Sequence, residues 1–388
     1  MKQSITERVA CTAVIALTLL LSFTQAVFAQ AKSDDSTIKI GRSFPLTGPL
    51  APYGIAKKVG GDAYLERINR EGGVRGKKLE IITLEDRYDP KETTKNIATL
   101  NDGKVLAMLG LFGVPTVAAA LPVIEELKLP AVGLTSGAAL VRNPPRRYAF
   151  PTRASYLDET DTMVQHFNSL GLKRVAIVRQ ANPFGASVAE NMLASLTKAS
   201  IKPTVNLEIA ADGANVKAVT KQLTDAGGVD VVFLAMLSNV ALIVVDEMRT
   251  ANVQTAAGIF SISAVDTTVL ASKLKDKARG VAISQVVPLM QGSTPIVRDY
   301  VRDLKVLDAA AAPSFYGLEA YIEARILIEG IKRIPAASPL SREALVTALE
   351  SFGELEMGGI TVSYGPGKHN GFKFVELTMI SRNGSLVR

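Results

Sequence analysis

Residues Gly41 to Gly76 read GRSFPLTGPLAPYGIAKKVGGDAYLERINREGGVRG, and this stretch decides the fold class. Ile38, Ile40 and Phe44 lead into it at alternating positions, the period of a strand with a buried face. The punctuated run Pro45-Leu46-Thr47-Gly48-Pro49 then turns the chain. An amphipathic helix follows, and Gly72-Gly73 stops it. Strand, loop and helix in that order form the βα unit of an α/β protein.

The same alternation continues downstream. Strands are predicted at Lys78–Leu84, Val105–Leu109, Ala131–Leu134, Arg174–Val178, Val205–Ile209, Val231–Ala235, Gly258–Ser261 and Ala282–Val287. Helices fit between them, among them Thr116–Leu127, Gly185–Lys198, Val216–Ala226 and Val240–Thr250. Asp89 reads as the N-cap of another, with Pro90 at its first position and Glu92 at its third. Runs such as VVFLAM are apolar without a break, as strands of a parallel sheet covered on both faces must be. The pattern argues a doubly wound α/β fold, twice over.

Several pieces, in this order and spacing, resemble the periplasmic solute-binding proteins of ABC importers, in the branched-chain amino-acid (Leu/Ile/Val) binding family. They are the opening stretch above, INREGGVRGKKLEII with LEDRYDP, LPAVGLTSGAALVRNPPRRYAFPTRASYLDET, RVAIVRQANPFGASVAENM, and EMGGITVSYGPGKHNGFKFVELTMISRNGSLVR at the end. The resemblance covers almost the whole chain after the N-terminus. It implies two lobes with parallel sheets, joined by a three-segment hinge, the type I arrangement. The crossings are expected near Phe150–Arg153, Ser284–Pro288 and Tyr364–Gly367, where proline or glycine can set a hinge. That gives lobe 1 as residues 30–152 with 287–364, and lobe 2 as 153–286 with 365–388.

The resemblance also places a ligand cleft between the lobes. Tyr53 is expected to pack on the ligand. Gly113, Thr116, Thr135 and Ser136 are expected to grip a carboxylate, at loops and a helix start whose free N–H groups suit an anion. Thr116 can equally cap its own helix. Tyr156 and Phe184 are expected to line the cleft from the second lobe, with Phe184 otherwise a hydrophobic plug. Tyr321 is the preferred match to a tyrosine that closes over the ligand, and Tyr316 competes with it. Arg153 is a candidate counter-ion for an acidic ligand, and Glu319 reads as structural.

One position departs from the amino-acid binders. Their acidic partner for the ligand's ammonium falls here on or near Ser263, and their preceding tyrosine on Leu237 or Ser238. Burying an ammonium without an anion is costly. The expected ligand is therefore a carboxylate or amide with an apolar or aromatic body rather than an α-amino acid. Leucine, isoleucine and valine are expected to bind weakly or not at all.

The N-terminus reads as an export signal. Lys2 and Arg8 precede an apolar run from Val9 to Phe23, then small residues to Ala29 or Ala31, either of which could end the leader. With residues 1–29 as signal peptide, the protein is expected in the periplasm. A retained anchor is the alternative, but the run is short for a bilayer. The single cysteine, Cys11, lies inside this leader, so the rest can form neither a disulfide nor a thiolate metal site.

Composition narrows the function classes. Roughly 360 residues after the leader exceed what one core usually serves. The net charge of +7 becomes +6 once Lys2, Arg8 and Glu7 are removed, and it is spread along the chain. With no tryptophan and no basic run interleaved with aromatics, nucleic acid is not an expected partner. Only two histidines occur, His166 and His369, and no nucleophile elbow, dinucleotide fingerprint, HExxH or P-loop motif is present. Glu85, Asp86 and Asp89 read as a solvated loop and cap rather than a catalytic pair. The expectation is a monomeric, cofactor-free binding protein that hands a small solute to ABC permease subunits. A periplasmic sensing module feeding a receptor is the alternative.

Overall fold

The computed structural model describes residues 37–388, so the leader lies outside the described residues. The first lobe carries five parallel strands in the order β2-β1-β3-β4-β5. They are β1 (Thr37–Phe44), β2 (Lys78–Glu85), β3 (Ala107–Phe112), β4 (Ala131–Thr135) and β5 (Ala149–Phe150). Helices α1 (Ala51–Arg70), α2 (Pro90–Asp102) and α3 (Val114–Glu126) connect them. Every residue of β3 and β4 is buried, which is why their sequences read as unbroken apolar runs.

The second lobe begins with α4 (Tyr156–Ser169) and alternates β6 (Val175–Gln180), α5 (Pro183–Lys198), β7 (Val205–Ile209), α6 (Val216–Asp225), β8 (Val229–Ala235), α7 (Ser238–Thr250), β9 (Thr255–Ser261), α8 (Thr267–Leu274) and β10 (Val281–Gln285). The chain then returns to the first lobe for α9 (Pro295–Leu307), α10 (Phe315–Arg333), α11 (Arg342–Glu350) and the hairpin β11 (Gly353–Glu356) and β12 (Thr361–Tyr364). Finally β13 (Glu376–Ile380) and β14 (Leu386–Val387) add antiparallel strands to the second sheet, whose order is β14-β13-β10-β9-β8-β6-β7. Each sheet is covered on both faces by apolar clusters. Among the described residues no helix is long and apolar enough to cross a membrane.

Helix α10 is the spine of the first lobe. Leu318, Ile322, Ile326, Leu327 and Ile331 are buried completely or almost so, each contributing about 1.5–3 kcal/mol. It can approach α1 closely because Gly60 faces Gly317, where a Cβ on Gly60 would sit 2.1 Å from the Gly317 carbonyl oxygen. This packing carries α10's N-terminal turns to the edge of the interlobe cleft.

Two sequence expectations need correction here. The third strand runs to Phe112 rather than ending at Leu109, because Gly110 takes φ 79° beneath Phe44 and the ladder to β4 resumes at Leu111. The third crossing also lies later than Tyr364–Gly367. His369 stacks on Phe150 at 4.0 Å with its Nδ1 2.9 Å from the Ala149 carbonyl, and Phe372 joins the first lobe's core. Residues 365–374 therefore stay with the first lobe, and the chain joins the second sheet only at Glu376. The other passages run from Phe150 to Tyr156 and from Gln285 onward, with Val287 and Leu289 already in the first lobe's core.

Candidate functional site

The loops at the carboxyl ends of β1, β2, β3 and β4 meet the second lobe across a cleft, the usual position for a ligand in open α/β sheets. Tyr53, in the first turn of α1, stacks on Phe112 at 5.1 Å and meets Tyr316 edge-on at 4.9 Å. Tyr88 joins them from the loop after β2, at φ 62°. Buried Asp86 holds that loop: it accepts the Tyr88 N–H at 2.9 Å, the Ser43 hydroxyl at 2.9 Å and the Thr93 hydroxyl at 3.2 Å. Burial raises the Asp86 carboxyl despite those bonds. Gly113, at φ 94°, lies against Tyr88, and a Cβ there would come within 2.1 Å of the ring. Only glycine fits that position.

The second lobe supplies Tyr156 and Phe184, which pack edge-on at 5.7 Å, together with Leu237 and Ala264. Asn182 caps the helix that presents Phe184, accepting the Gly185 N–H at 2.7 Å. The cavity between the lobes is lined by Tyr88, Phe112, Gly113, Thr135 and Tyr316 on one side and Arg153, Tyr156, Phe184, Leu237 and Ala264 on the other. It encloses about 10 Å³, about the minimum for one water. Anything larger than a water enters it only if the lobes or these side chains part. A larger open groove of about 890 Å³ lies at the opposite ends of the first lobe's strands, lined by Thr37, Lys39, Asn101 and Arg342 among others. It lacks the aromatic walls of the cleft.

Hydrogen bonds close the cleft. The Tyr53 hydroxyl donates toward Ser238 Oγ at 2.8 Å and the Ala264 carbonyl at 3.1 Å, and it accepts the Ser238 N–H at 2.9 Å. Burial raises this phenol to about 12, so it stays protonated. The Tyr316 hydroxyl donates to the Ser263 carbonyl at 3.2 Å. Arg153, at the first crossing, donates through Nη2 to Ser263 Oγ and lies 3.7 Å from Glu159 and 3.5 Å from Glu319. Burial opposes its charge, yet Glu319 and Glu159 hold the guanidinium above its usual value.

Of four further expected site residues, three lie off the cavity lining and one reaches it. Thr116 turns inward and donates to the carbonyls of Phe112 and Gly113, so its hydroxyl serves its own helix. Ser136 accepts the Ala138 N–H at 3.3 Å in its own turn and sits beside the Tyr156 hydroxyl. Thr135 reaches the cavity, with its hydroxyl 3.5 Å from Glu323. Tyr321 lies in the first lobe's interior, donating to Asp303 at 2.6 Å and packed against Tyr64 and Tyr300. Five positions on a helix span about 500°, so Tyr316 and Tyr321 face different ways. Tyr316 is the cleft tyrosine.

The sequence reading missed two groups. Tyr88 was hidden in an acidic loop; its only signal was an aromatic at the carboxyl end of a strand. Glu159 is a buried acid beside Ser263, accepting the Ser263 N–H at 2.9 Å and the Ser284 hydroxyl at 2.6 Å. It lies four residues into RASYLDET's helix rather than after β9, so inspecting the strand end alone could not find it. Among the described residues no cluster of His, Cys, Asp and Glu suits a metal ion.

Comparison with known proteins agrees with this architecture. The family model described as periplasmic binding protein matches residues 37–382. The leucine-, isoleucine-, valine-, threonine- and alanine-binding protein of Pseudomonas aeruginosa is 27% identical over 209 residues, 52% of this chain and 54% of that protein. The Leu/Ile/Val-binding protein BraC3 of Rhizobium johnstonii is 28% identical over 220 residues, 56% of this chain and 58% of its own length. The chain thus spans little more than half the length of these curated relatives. Among solved structures, a possible leucine/isoleucine/valine-binding protein from Rhodopirellula baltica superimposes with a TM-score of 0.83 at 26% identity, covering 92% of this chain and 97% of that one. A fatty acid ABC transporter substrate-binding protein from Thermomonospora curvata shares the fold, with a TM-score of 0.82 at 21% identity and 92% of each chain covered.

Proposed function

The chain belongs to the periplasmic binding protein family, a family of solute-binding proteins rather than enzymes, and on that premise we propose that it captures a small organic solute between its lobes for an ABC importer. The observation that carries this reading is the cavity walled from both lobes by aromatic rings around Arg153, with Tyr53 and Tyr316 hydrogen-bonded across it. Such a site can bind and enclose a small molecule. Solute docks on one lobe, the three crossings bend, and the closed form is presented to the permease. Closure excludes water and strengthens each polar contact.

The solute that fits has a flat or branched apolar body and a polar end. The rings of Tyr88, Phe112, Tyr156 and Phe184 suit the body. The polar end falls at Arg153 and Ser263. Glu159 weakens the argument against amino acids drawn from Ser263, because a buried carboxylate does stand there. The Leu/Ile/Val relatives favour an amino acid; Arg153, the one charged residue lining the cavity among the described residues, favours a carboxylate. The leader-like N-terminus supports export to the periplasm. A thermal-shift screen of amino acids, aromatic acids, dicarboxylates and amides against refolded, solute-free protein tests the reading. A binder at a hundredfold excess over its Kd stabilises by about 2.7 kcal/mol; a screen in which nothing raises Tm counts against solute capture.

A further inference from the structure

Five buried side chains at the junction of the lobes do not balance in charge. Lys57 on α1 meets Glu323 on α10 at 2.8 Å, both at most 1% exposed. One turn earlier on α10, Glu319 lies 3.5 Å from Arg153, which in turn lies 3.7 Å from Glu159 on α4. None of these three exceeds 4% exposure. Three carboxyl groups therefore share two cations away from water.

The surrounding groups do not supply the missing charge. Thr135 and Thr152 hydroxyls stand 3.5 and 3.4 Å from Glu323, and Ser263 N and Ser284 Oγ donate to Glu159. Tyr156, Tyr316 and Tyr364 are buried phenols, kept neutral chiefly by that burial. Arg142 approaches Arg153, but its guanidinium donates to the Ser136 and Arg153 carbonyls and feels Asp158, so that pair adds no net charge. Asp266, near Tyr53 and Tyr316, caps α8 and adds negative charge. Glu159 Oε1 and Glu319 Oε1 are both buried without a hydrogen bond. Burial without full compensation pushes the Glu159 carboxyl toward its protonated form.

We propose that closure of the lobes takes up one proton at Glu159, which must share the Arg153 guanidinium with Glu319 once both are cut off from water. This rests on the reading above, in which the lobes open and close on a solute at this cleft. Glu319 belongs to the first lobe, whereas Glu159 belongs to the second. Parting the lobes lets water reach both, together with Arg153, and the Glu159 carboxyl is then freed from the burial that raises it. A solute that brings a positive N–H group to the two orphan oxygens replaces the proton, and a neutral solute leaves it in place. Burial pushes the Glu159 carboxyl up against the pull of Arg153. Groups raised in the closed form favour closing at low pH, and that contribution is lost as pH rises through the closed-state value.

The chain from Gln30 onward has no cysteine, so Lys91→Cys and Lys217→Cys, at exposed positions on the two lobes, give a unique dye pair. Energy transfer then reads the closed fraction of refolded, solute-free protein between about pH 5 and about pH 8, the span over which raised carboxyls titrate. The closed-to-open ratio is expected to fall as pH rises, by up to about tenfold per unit. Glu319→Gln, which removes the surplus charge, is expected to flatten that slope, and so is Glu159→Gln, with folding of each checked by circular dichroism. A pH-independent distance in the parent protein, or an unchanged slope in both variants, overturns the proposal. Failure of solute capture itself would show separately, as no solute in the screen shifting the distance at any pH.

Discussion

Tyr53 in the first lobe and Ser238 in the second bond to each other in both directions, hydroxyl to hydroxyl at 2.8 Å and Ser238 N–H to phenol oxygen at 2.9 Å. Ser238 Oγ also accepts the Asp266 N–H at 2.8 Å, so one phenol ties α1 to the starts of both α7 and α8. Tyr53→Phe keeps the ring stacking and removes only the bridge. Solute affinity is expected to fall by about 1 kcal/mol, roughly fivefold, mainly through faster release. Stopped-flow dissociation checks it.

Tyr316 and Tyr321 separate binding from stability. Tyr316→Phe loses the bond to the Ser263 carbonyl across the cleft and should weaken solute binding with little change in Tm. Tyr321→Phe loses a bond to the Asp303 carboxylate, worth about 1.5–3 kcal/mol of stability. It should leave affinity intact. Calorimetric titration and thermal melting of the two variants decide the assignment.

Thr116→Val should behave as a core substitution. Its hydroxyl bonds to backbone within its own helix turn, so about 1 kcal/mol of stability is expected to go. Solute affinity should stay within about twofold. A tenfold loss of affinity with stability unchanged would return Thr116 to the ligand.

Lys57→Met leaves Glu323 without its buried partner and should cost about 3–5 kcal/mol. The double replacement Lys57→Met with Glu323→Leu removes both charges and should recover most of that loss. Denaturant unfolding of the single and double variants measures it.

The fold was legible because its signals are local. Apolar strands such as Val229–Ala235, the Asp89 cap and the Gly72-Gly73 stop each act within a few residues of themselves. The cleft is a tertiary meeting of βα loops from two lobes, and local patterns say which loops lie at strand ends but not which side chains meet across them. Which of Tyr316 and Tyr321 faces the cleft depends on how α10 is rotated against α1, a contact fixed by Gly60 and Gly317. Glu159 reaches Ser263 across 104 residues of sequence, and no spacing rule announces such a pair.

Reversible capture of a small solute is proposed for the cleft between Tyr53, Arg153 and Tyr316. Titration calorimetry of the best solute from the thermal-shift screen tests it most directly, with the parent protein compared against Tyr316→Ala and the bound solute recovered afterwards. One site per chain is expected, with affinity at least about tenfold weaker in the variant and the solute returned chemically unchanged. Equal affinity in the variant, or a solute converted to another compound, would contradict it.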